Sequence, residues 1–426
     1  MTAIDCEREG GCFSRVGYWL RSASVFQPQG ERRVGVNPLT GPDYRSVMGQ
    51  LLRNRTVFED KALRNRLDLL RAARVPQPLG SLVKGLIMKR ISLLFSVAFA
   101  ASLAAGAASA QTLKTVTDRG MLSCGVSQGL PGFSSPDDKG NWTGLDVDIC
   151  RAVAAAVLND PTKVKFVPLS AKDRFTALQS GEIDLLSRNS TWILSRDTSL
   201  GFNYTGINYF DGQGFMVRKA LKVNSALELN SASVCVQTGT TNEQNVGDYF
   251  KANNMKYELI AFSTADEAIK AYESGRCDVF TSDVSQLYAM RLKFAAPNDH
   301  AVLPEVISKE PLGPVVRHGD DQWFDIVKWT LFAMINAEEL GITQKNVEDQ
   351  AKSSPKPEVK RMLGTDGNLG ETLGLSRDWV VRIVKAVGNY GESFDRNVGA
   401  GSKLQIARGL NKLWNQGGIL YAPPIR

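Results

Sequence analysis

Two arginines and one aspartate, each set in a short polar run, are the side chains best equipped for chemistry in this chain. Arg188-Asn189-Ser190-Thr191-Trp192 precedes Arg196, Gln237-Thr238-Gly239-Thr240-Thr241 forms a second run, and Asp283 ends a third that starts at Asp278. A guanidinium presents a planar fork of N–H donors that matches a carboxylate, whereas an aspartate accepts hydrogen bonds from an ammonium group. Buried face to face, the two suit a zwitterion, which carries both charges on one carbon. Ordinary structural roles are open to each residue as well. Arg196 could pair with Asp197 or Asp173 at the surface, Thr240 and Thr241 could cap a helix, and Asp283 could cap a helix over 284–291. Metal chemistry fits poorly: the only histidines are His300 and His318, and no His or Cys falls at metal-ligand spacing.

The elements that must position these residues alternate in type. β-type runs at 121–126, 163–168 and 183–186 are interleaved with helical segments at 146–158 and 172–180. A second series has strands at 233–237, 258–262 and 277–281, with helices at 240–253 and 264–274. This rhythm predicts parallel sheets with crossover helices, and each series reads as one α/β lobe. The series also resemble each other locally. Leu178-Gln179-Ser180-Gly181-Glu182-Ile183-Asp184 and Tyr272-Glu273-Ser274-Gly275-Arg276-Cys277-Asp278 both read as helix end, glycine stop and strand opening on Asp.

Bulk charge misleads here. The formal net charge is +7, but residues 1–110 hold 16 Lys or Arg against 8 Asp or Glu, so the remainder is near neutral, at about −1. No basis for nucleic-acid binding survives that division. Met88-Lys89-Arg90, the apolar run 91–105 and Ala108-Ser109-Ala110 have the order of a secretory signal, with cleavage expected before Gln111. Residues 1–87, with one helix-like segment at 57–73, are expected to be a spurious upstream extension from a misplaced start. Beyond the signal no apolar run reaches the ~20 residues that a bilayer needs, so no stable membrane insertion is expected after processing. Four cysteines, Cys124, Cys150, Cys235 and Cys277, remain in the exported part; they suggest two disulfides, for which composition allows three connectivities.

The ordered set of motifs is specific where each alone is common. Gly144-Leu145-Asp146-Val147-Asp148-Ile149-Cys150 follows a loop holding Pro131 and Phe133. Gly181-Glu182-Ile183-Asp184, Arg196, Gln237 to Thr241 and Asp278 to Asp283 come next, then Gly388-Asn389-Tyr390-Gly391-Glu392 and Tyr421-Ala422-Pro423-Pro424. This set resembles the polar amino-acid-binding proteins of ABC transporters, and within them the general L-amino-acid-binding branch, over essentially all of 111–426. The resemblance implies an α/β, two-lobed periplasmic-binding-protein fold of type II, with additional C-terminal helices. Lobe one would comprise 111–208 and 311–345, lobe two 209–310, and 346–426 a helical extension packed on lobe one. Crossings near 208–212 and 308–313 would form the hinge.

The same resemblance assigns Arg196 to the ligand carboxylate and Asp283 to the ammonium, one from each lobe. Thr191, Thr240 and Thr241 would add hydroxyl and backbone donors. Leu130, Arg188, Asn189, Trp192 and Gln237 would lie beside the ligand side chain. Arg188 replaces a small serine of basic-amino-acid relatives, so acidic and amide side chains should be favoured. Disulfides Cys124–Cys150 and Cys235–Cys277 would each stay within one lobe and leave closure free. The expected partners are free L-amino acids and the permease subunits of an inner-membrane ABC transporter, the expected location is the periplasm, and no cofactor is implied. A dehydratase acting on prephenate or arogenate is the rival on this fold; it needs a general acid over the ring, and Asp283 is the only carboxylate assigned to the pocket. In the tail, 379–387 and 404–414 show helical apolar spacing, and 352–357 reads as a loop.

Overall fold

The computed structural model describes residues 112–426; the expected extension, its helix at 57–73 and the signal segment lie outside the described residues. The chain opens with strand β1 (Leu122–Val126), helix α1 (Leu145–Leu158), β2 (Val164–Pro168), α2 (Arg174–Ser180) and a short β3 (Leu185–Leu186). Helix α3 (Leu194–Thr198) and β4 (Phe202–Tyr204) follow, and β5 (Tyr209–Asp211) then leaves the first sheet. The second unit runs β6 (Gln213–Arg218), β7 (Ala232–Gln237), α4 (Thr241–Ala252), β8 (Tyr257–Phe262), α5 (Ala265–Glu273), β9 (Val279–Asp283), α6 (Val284–Arg291) and β10 (His300–Val302). The chain returns through β11 (Glu310–Leu312) to β12 (Val315–Arg317). Beyond these lie helices α7 (Asp321–Glu339), α8 (Val347–Ser353), α9 (Pro357–Met362), α10 (Trp379–Val387) and α11 (Tyr390–Asn397).

Two five-stranded sheets result. The first has the order β2-β1-β3-β12-β4 and the second β8-β7-β9-β6-β10. In each, the early strands pair in parallel, and the strands at the crossing side are antiparallel. The two crossings pair with each other as a separate antiparallel ribbon, β5 with β11, in the register Glu310↔Asp211 and Leu312↔Tyr209. Two short strands joined side by side can twist without disrupting either core, which is what a hinge requires.

The repeated glycine-stop motif is the same structure twice. Gly181 and Gly275 both take left-handed φ, 79° and 80°. After each, an aspartate ties the new strand to its neighbour. The Asp184 carboxylate accepts from the Ser123 amide at 2.8 Å, and the Asp278 carboxylate accepts from the Ser233 amide at 2.9 Å. Disulfides pin both lobes, Cys124 on β1 to Cys150 on α1, and Cys235 on β7 to Cys277 just ahead of β9, with Cα separations of 6.1 and 5.7 Å.

The tail is keyed to α1. Helix α10 buries Trp379, Val380, Ile383, Val384 and Val387, an i, i+1, i+4, i+5, i+8 face, against the small residues of α1. The buried Asp148 carboxylate of α1 accepts from Ser393 Oγ at 2.6 Å, Asn397 Nδ2 at 2.7 Å and the Arg396 guanidinium. The helix expected over 404–414 does not form; short 3-10 turns at Gly409–Asn411 and Trp414–Gln416 interrupt irregular chain. Gln405 and Gly409 sit at φ 50° and 49°, outside helical geometry. Asn411 instead turns its amide onto the hinge, accepting from the Phe210 amide at 2.7 Å and donating to the Phe210 carbonyl at 3.1 Å. The loop expected at 352–357 shrinks to 354–356, because α8 runs to Ser353 and Pro357 opens α9.

Candidate functional site

The lobe-one wall is built where β3 ends. Asp146, in the first turn of α1 and fully buried, accepts from the Asn189 amide at 2.9 Å, Asn208 Nδ2 at 3.3 Å and Ser187 Oγ at 3.4 Å. Burial pushes its carboxyl up to about 6, against the pull of Asn189, Asn208 and the Arg188 charge. Asn189 takes φ 32°, and its side-chain oxygen is buried without a partner. Three buried guanidiniums lie in this part of lobe one, Arg188 just past the strand, Arg174 on α2 and Arg196 on α3. Arg188 Nε donates to the Leu169 carbonyl at 2.9 Å, and Arg196 Nη1 donates to the Thr191 carbonyl at 2.8 Å. Arg174, in the first turn of α2, lies 4.9 Å from the Phe175 ring centre, while Arg196 lies 5.1 Å from the same ring. Arg174 Nε has no hydrogen-bond partner. Among the described residues none of the three makes an ion pair. Burial, then the charges of Arg196 and Arg188, hold Arg174 well below the usual arginine range, and burial brings Arg188 down to about 10.

Across the cleft the polarity reverses. Asp283 stands at the N-terminus of α6 but caps nothing; it accepts from Asn242 Nδ2 at 2.8 Å and from Gln286 Nε2. Burial, reinforced by the charges of Asp211 and Glu310, pushes its carboxyl well above the usual range. Asp211, on the hinge ribbon, accepts from the Gly212 amide at 2.9 Å and from Ser285, and burial raises it to about 6. Glu310, on the returning strand, accepts from Thr241 Oγ1 at 2.8 Å, Asn245 Nδ2 at 2.8 Å and Ser308 Oγ at 2.6 Å. Three buried arginines thus gather in lobe one, near the buried Asp146, while Asp283 in lobe two lies close to two buried carboxylates of the crossing strands, Asp211 and Glu310.

The lobes are in contact. Thr191 Oγ1 and Thr241 Oγ1 lie 3.4 Å apart, and a Cβ on Gly239 would stand 3.2 Å from Lys172 Cα. A cavity of about 290 Å³ remains between them, with Leu130 and Arg188 on one side and Gln237, Gln286, Asp266 and Lys293 on the other. A second groove of about 360 Å³ runs along Phe175, Arg196, Gly239, Thr240 and Thr241. Of the residues expected at the site, Leu130, Arg188 and Gln237 line the cavity, and Thr191 meets Thr241 across the cleft. Arg196 and Thr240 lie on the second groove, Asp283 adjoins the cavity through Gln286, and Asn189 is buried beside Asp146. Arg196 is a buried residue and not a surface ion pair, and Thr240 donates its hydroxyl to the Gln237 carbonyl at 2.7 Å without capping α4. Trp192 departs from expectation: it is 38% exposed and stacks on Tyr204 with ring centres 5.6 Å apart, so it lies neither beside the cavity nor in the core.

Arg174, Asp211 and Glu310 were not foreseen. Arg174 had a signal, since a cation in the first turn of a helix opposes the helix dipole and needs another reason to be there. Asp211 and Glu310 fall inside the two crossing spans and are recognisable only once those crossings are seen to pair. Among the described residues no cluster of three or more His, Cys, Asp or Glu could hold a metal, and no helix is long and apolar enough to cross a membrane.

Two α/β lobes joined by a two-strand ribbon and in contact over a cleft, with buried arginines in one lobe and a buried aspartate in the other, have the build of a two-lobed solute-binding protein. The family model of bacterial extracellular solute-binding proteins, family 3, matches residues 122–346. The chain is 61% identical over 324 residues to the general L-amino acid-binding periplasmic protein AapJ of Rhizobium johnstonii, covering 76% of this chain and 95% of that protein. It is 53% identical over 339 residues to the glutamate/glutamine/aspartate/asparagine-binding protein BztA of Rhodobacter capsulatus, covering 80% of this chain and all of that one. A Brucella ovis ABC transporter periplasmic binding protein, solved with glutathione bound, superposes with a TM-score of 0.73 at 59% identity, covering 74% of this chain and all of that chain. The chain belongs to the bacterial extracellular solute-binding proteins, family 3. Its relatives serve transport as binding proteins, so the dehydratase alternative falls away and the protein is not an enzyme.

Proposed function

We propose that the protein is exported to the periplasm, captures L-amino acids in the interlobe cleft and delivers them to the permease of an ABC transporter. The lobes comprise 111–208 with 311–345 and 209–310, the hinge lies at the β5–β11 ribbon, and the mature chain starts at Gln111. Mass spectrometry of periplasmic protein would read that start directly; a mature form retaining residues before Met88 would contradict it. Arg196 takes the α-carboxylate and Asp283 the ammonium, so a zwitterion bridges the lobes and its affinity depends on both.

The observation that supports this reading is the pair of lobes in contact over a cleft, with Arg174, Arg188 and Arg196 buried in lobe one, without an ion pair among the described residues, and Asp283 buried in lobe two. Buried charges are costly unless paired, and a ligand that supplies both signs pairs them at closure. Arg174 and Arg188 leave positive charge beyond what one α-carboxylate neutralises, which favours glutamate and aspartate, with amides next. AapJ and BztA support the amino-acid class, and the glutathione of the Brucella ovis structure carries a glutamyl head of the same chemistry. A thermal-shift screen of the protein against all amino acids and prephenate tests it. A saturating ligand at about 100 times its Kd adds ~2.7 kcal/mol, enough for a shift of several degrees. Stabilisation by acidic and amide amino acids is expected, and a shift with prephenate alone would refute the function.

A further inference from the structure

We propose that Asn411 is a positioning residue for ligand capture: its side-chain amide holds Phe210 of the crossing strand to lobe one and confines closure to the links Phe210–Asp211 and Glu310–Pro311. The inference rests on the hinge proposed above and places its pivot inside the ribbon. Phe210 stands opposite Pro311, which has no N–H to give. In an antiparallel pair that exchanges no hydrogen bonds, the backbone groups of both residues point away from the partner strand. The Pro311 carbonyl accepts from the Trp192 amide at 2.8 Å, and both backbone groups of Phe210 go to Asn411, at 2.7 and 3.1 Å. Asn411 thus takes the place of a third strand on the free edge of β5.

The grip is anchored in lobe one. Asn411 is buried, and its own carbonyl accepts from Arg408 Nε at 3.0 Å and Nη2 at 2.8 Å. Arg408 in turn pairs with Glu338 of α7 at 3.1 Å and lies over the rings of Tyr390 and Phe394. Those two residues of α11 hold the chain just before Phe210: Tyr390 donates its hydroxyl to the Asn208 carbonyl at 2.8 Å, and Phe394 stacks on Tyr209. On the returning strand, Leu312 bridges to Thr191, and the Gly313 amide donates to the Ser190 carbonyl at 3.1 Å. One rung further the allegiance changes. Asp211 accepts from Ser285 of α6, and Glu310 from Thr241 and Asn245 of α4, all in lobe two. Both strands therefore pass from one lobe to the other at the same level of the ribbon. Without Asn411 the residues Asn208 to Phe210 join the rotation, and closure has to order them again. Ordering the backbone of one residue shifts an equilibrium about five- to thirtyfold, and every ligand draws on the same closure.

Double electron–electron resonance between spin labels at Gln179→Cys on α2 and Asp248→Cys on α4 reads the opening. Both sites are exposed, on helices that start just after the closing contact of Lys172 with Gly239. With Asn411 in place, the ligand-free protein should give one narrow distance that shortens with glutamate. Asn411→Ala should broaden the ligand-free distribution and leave the glutamate-saturated one unchanged. In isothermal titration it should weaken glutamate and glutamine by the same factor, about five- to thirtyfold. Tyr390→Phe, which keeps the ring and loses only the donation to Asn208, should broaden the distribution in the same way and carries the test where Asn411→Ala does not fold. A ligand-free distribution as narrow as the wild type's, even with a lowered melting temperature, would show a merely structural contact and overturn the inference. Unequal losses for the two ligands would overturn it as well, since the hinge is common to both. A wild-type distance that stays constant while calorimetry records glutamate binding would overturn the hinge itself, and the inference with it.

Discussion

Replacing Arg174 with methionine separates a ligand-binding arginine from a structural one. Its guanidinium is buried, Nε has no partner, and the like charges of Arg196 and Arg188 act on it more strongly than the opposite charge of Asp283. A charge-assisted hydrogen bond to a ligand carboxylate contributes ~1.5–3 kcal/mol, so glutamate and aspartate should bind about 10- to 150-fold more weakly, while alanine changes by less than about threefold. Stability should move the other way. Breaking a buried ion pair costs ~3–5 kcal/mol because it orphans the partner, but Arg174 leaves no partner behind. Removing an unpaired buried charge should keep or raise the ligand-free melting temperature, by ~2 °C for each kcal/mol gained in a chain of this size. Titration calorimetry with glutamate, glutamine and alanine, together with thermal unfolding of the empty protein, reads both effects. A uniform loss across ligands, or a lowered melting temperature with glutamate preference intact, would refute a role in reading the ligand's side chain.

Two further outcomes follow from the same geometry. Burial and the charges of Asp211 and Glu310 push the Asp283 carboxyl well above the usual carboxylate range, and a ligand ammonium beside it favours the ionised form. Binding should therefore release protons, and affinity should be lost as pH falls through the raised pKa of the empty site; calorimetry across a pH series in buffers of different ionisation enthalpy would show this, and proton release that is zero throughout the series would contradict it. Since the ribbon β5–β11 is the only strand pairing between the lobes among the described residues, glutamate should compact the protein by closing it. Small-angle scattering should give a smaller radius with ligand, and an unchanged profile at saturation would argue against hinge closure.

Much of this fold is legible from local rules. Gly181 and Gly275 stop their helices in the left-handed conformation, and the aspartates that follow open parallel strands, so short-range chemistry reveals both lobes. Strand ends were less accurate: β3 keeps only Leu185–Leu186 of the expected 183–186, because Ile183 is buried as side chain without joining the ladder. The helix expected at 404–414 failed because its apolar spacing serves a different contact. Leu413 and Leu420 are buried through a strand-like bridge, and Asn411 must face the hinge. At the site, Arg196 and Asp283 sit in recognisable runs, whereas Arg174, Asp211 and Glu310 are separated by long stretches of chain. Their meaning lies in unneutralised burial, which spacing does not encode. Trp192 shows the converse: its neighbours are polar site residues, yet stacking on Tyr204 turns it outward.

In the proposed clamp, the buried Arg196 guanidinium of lobe one takes the carboxylate that every amino acid shares. Isothermal titration of Arg196→Ala against glutamate, glutamine, alanine and lysine tests it most directly. Loss of the bidentate partner should cost ~3–5 kcal/mol, or roughly two to four orders of magnitude in affinity, for every ligand that the wild type binds. Arg196→Lys should bind nearly as poorly, because an ammonium cannot reproduce the fork. Near-normal affinity in Arg196→Ala for any of these ligands would contradict the placement of the carboxylate and with it the clamp.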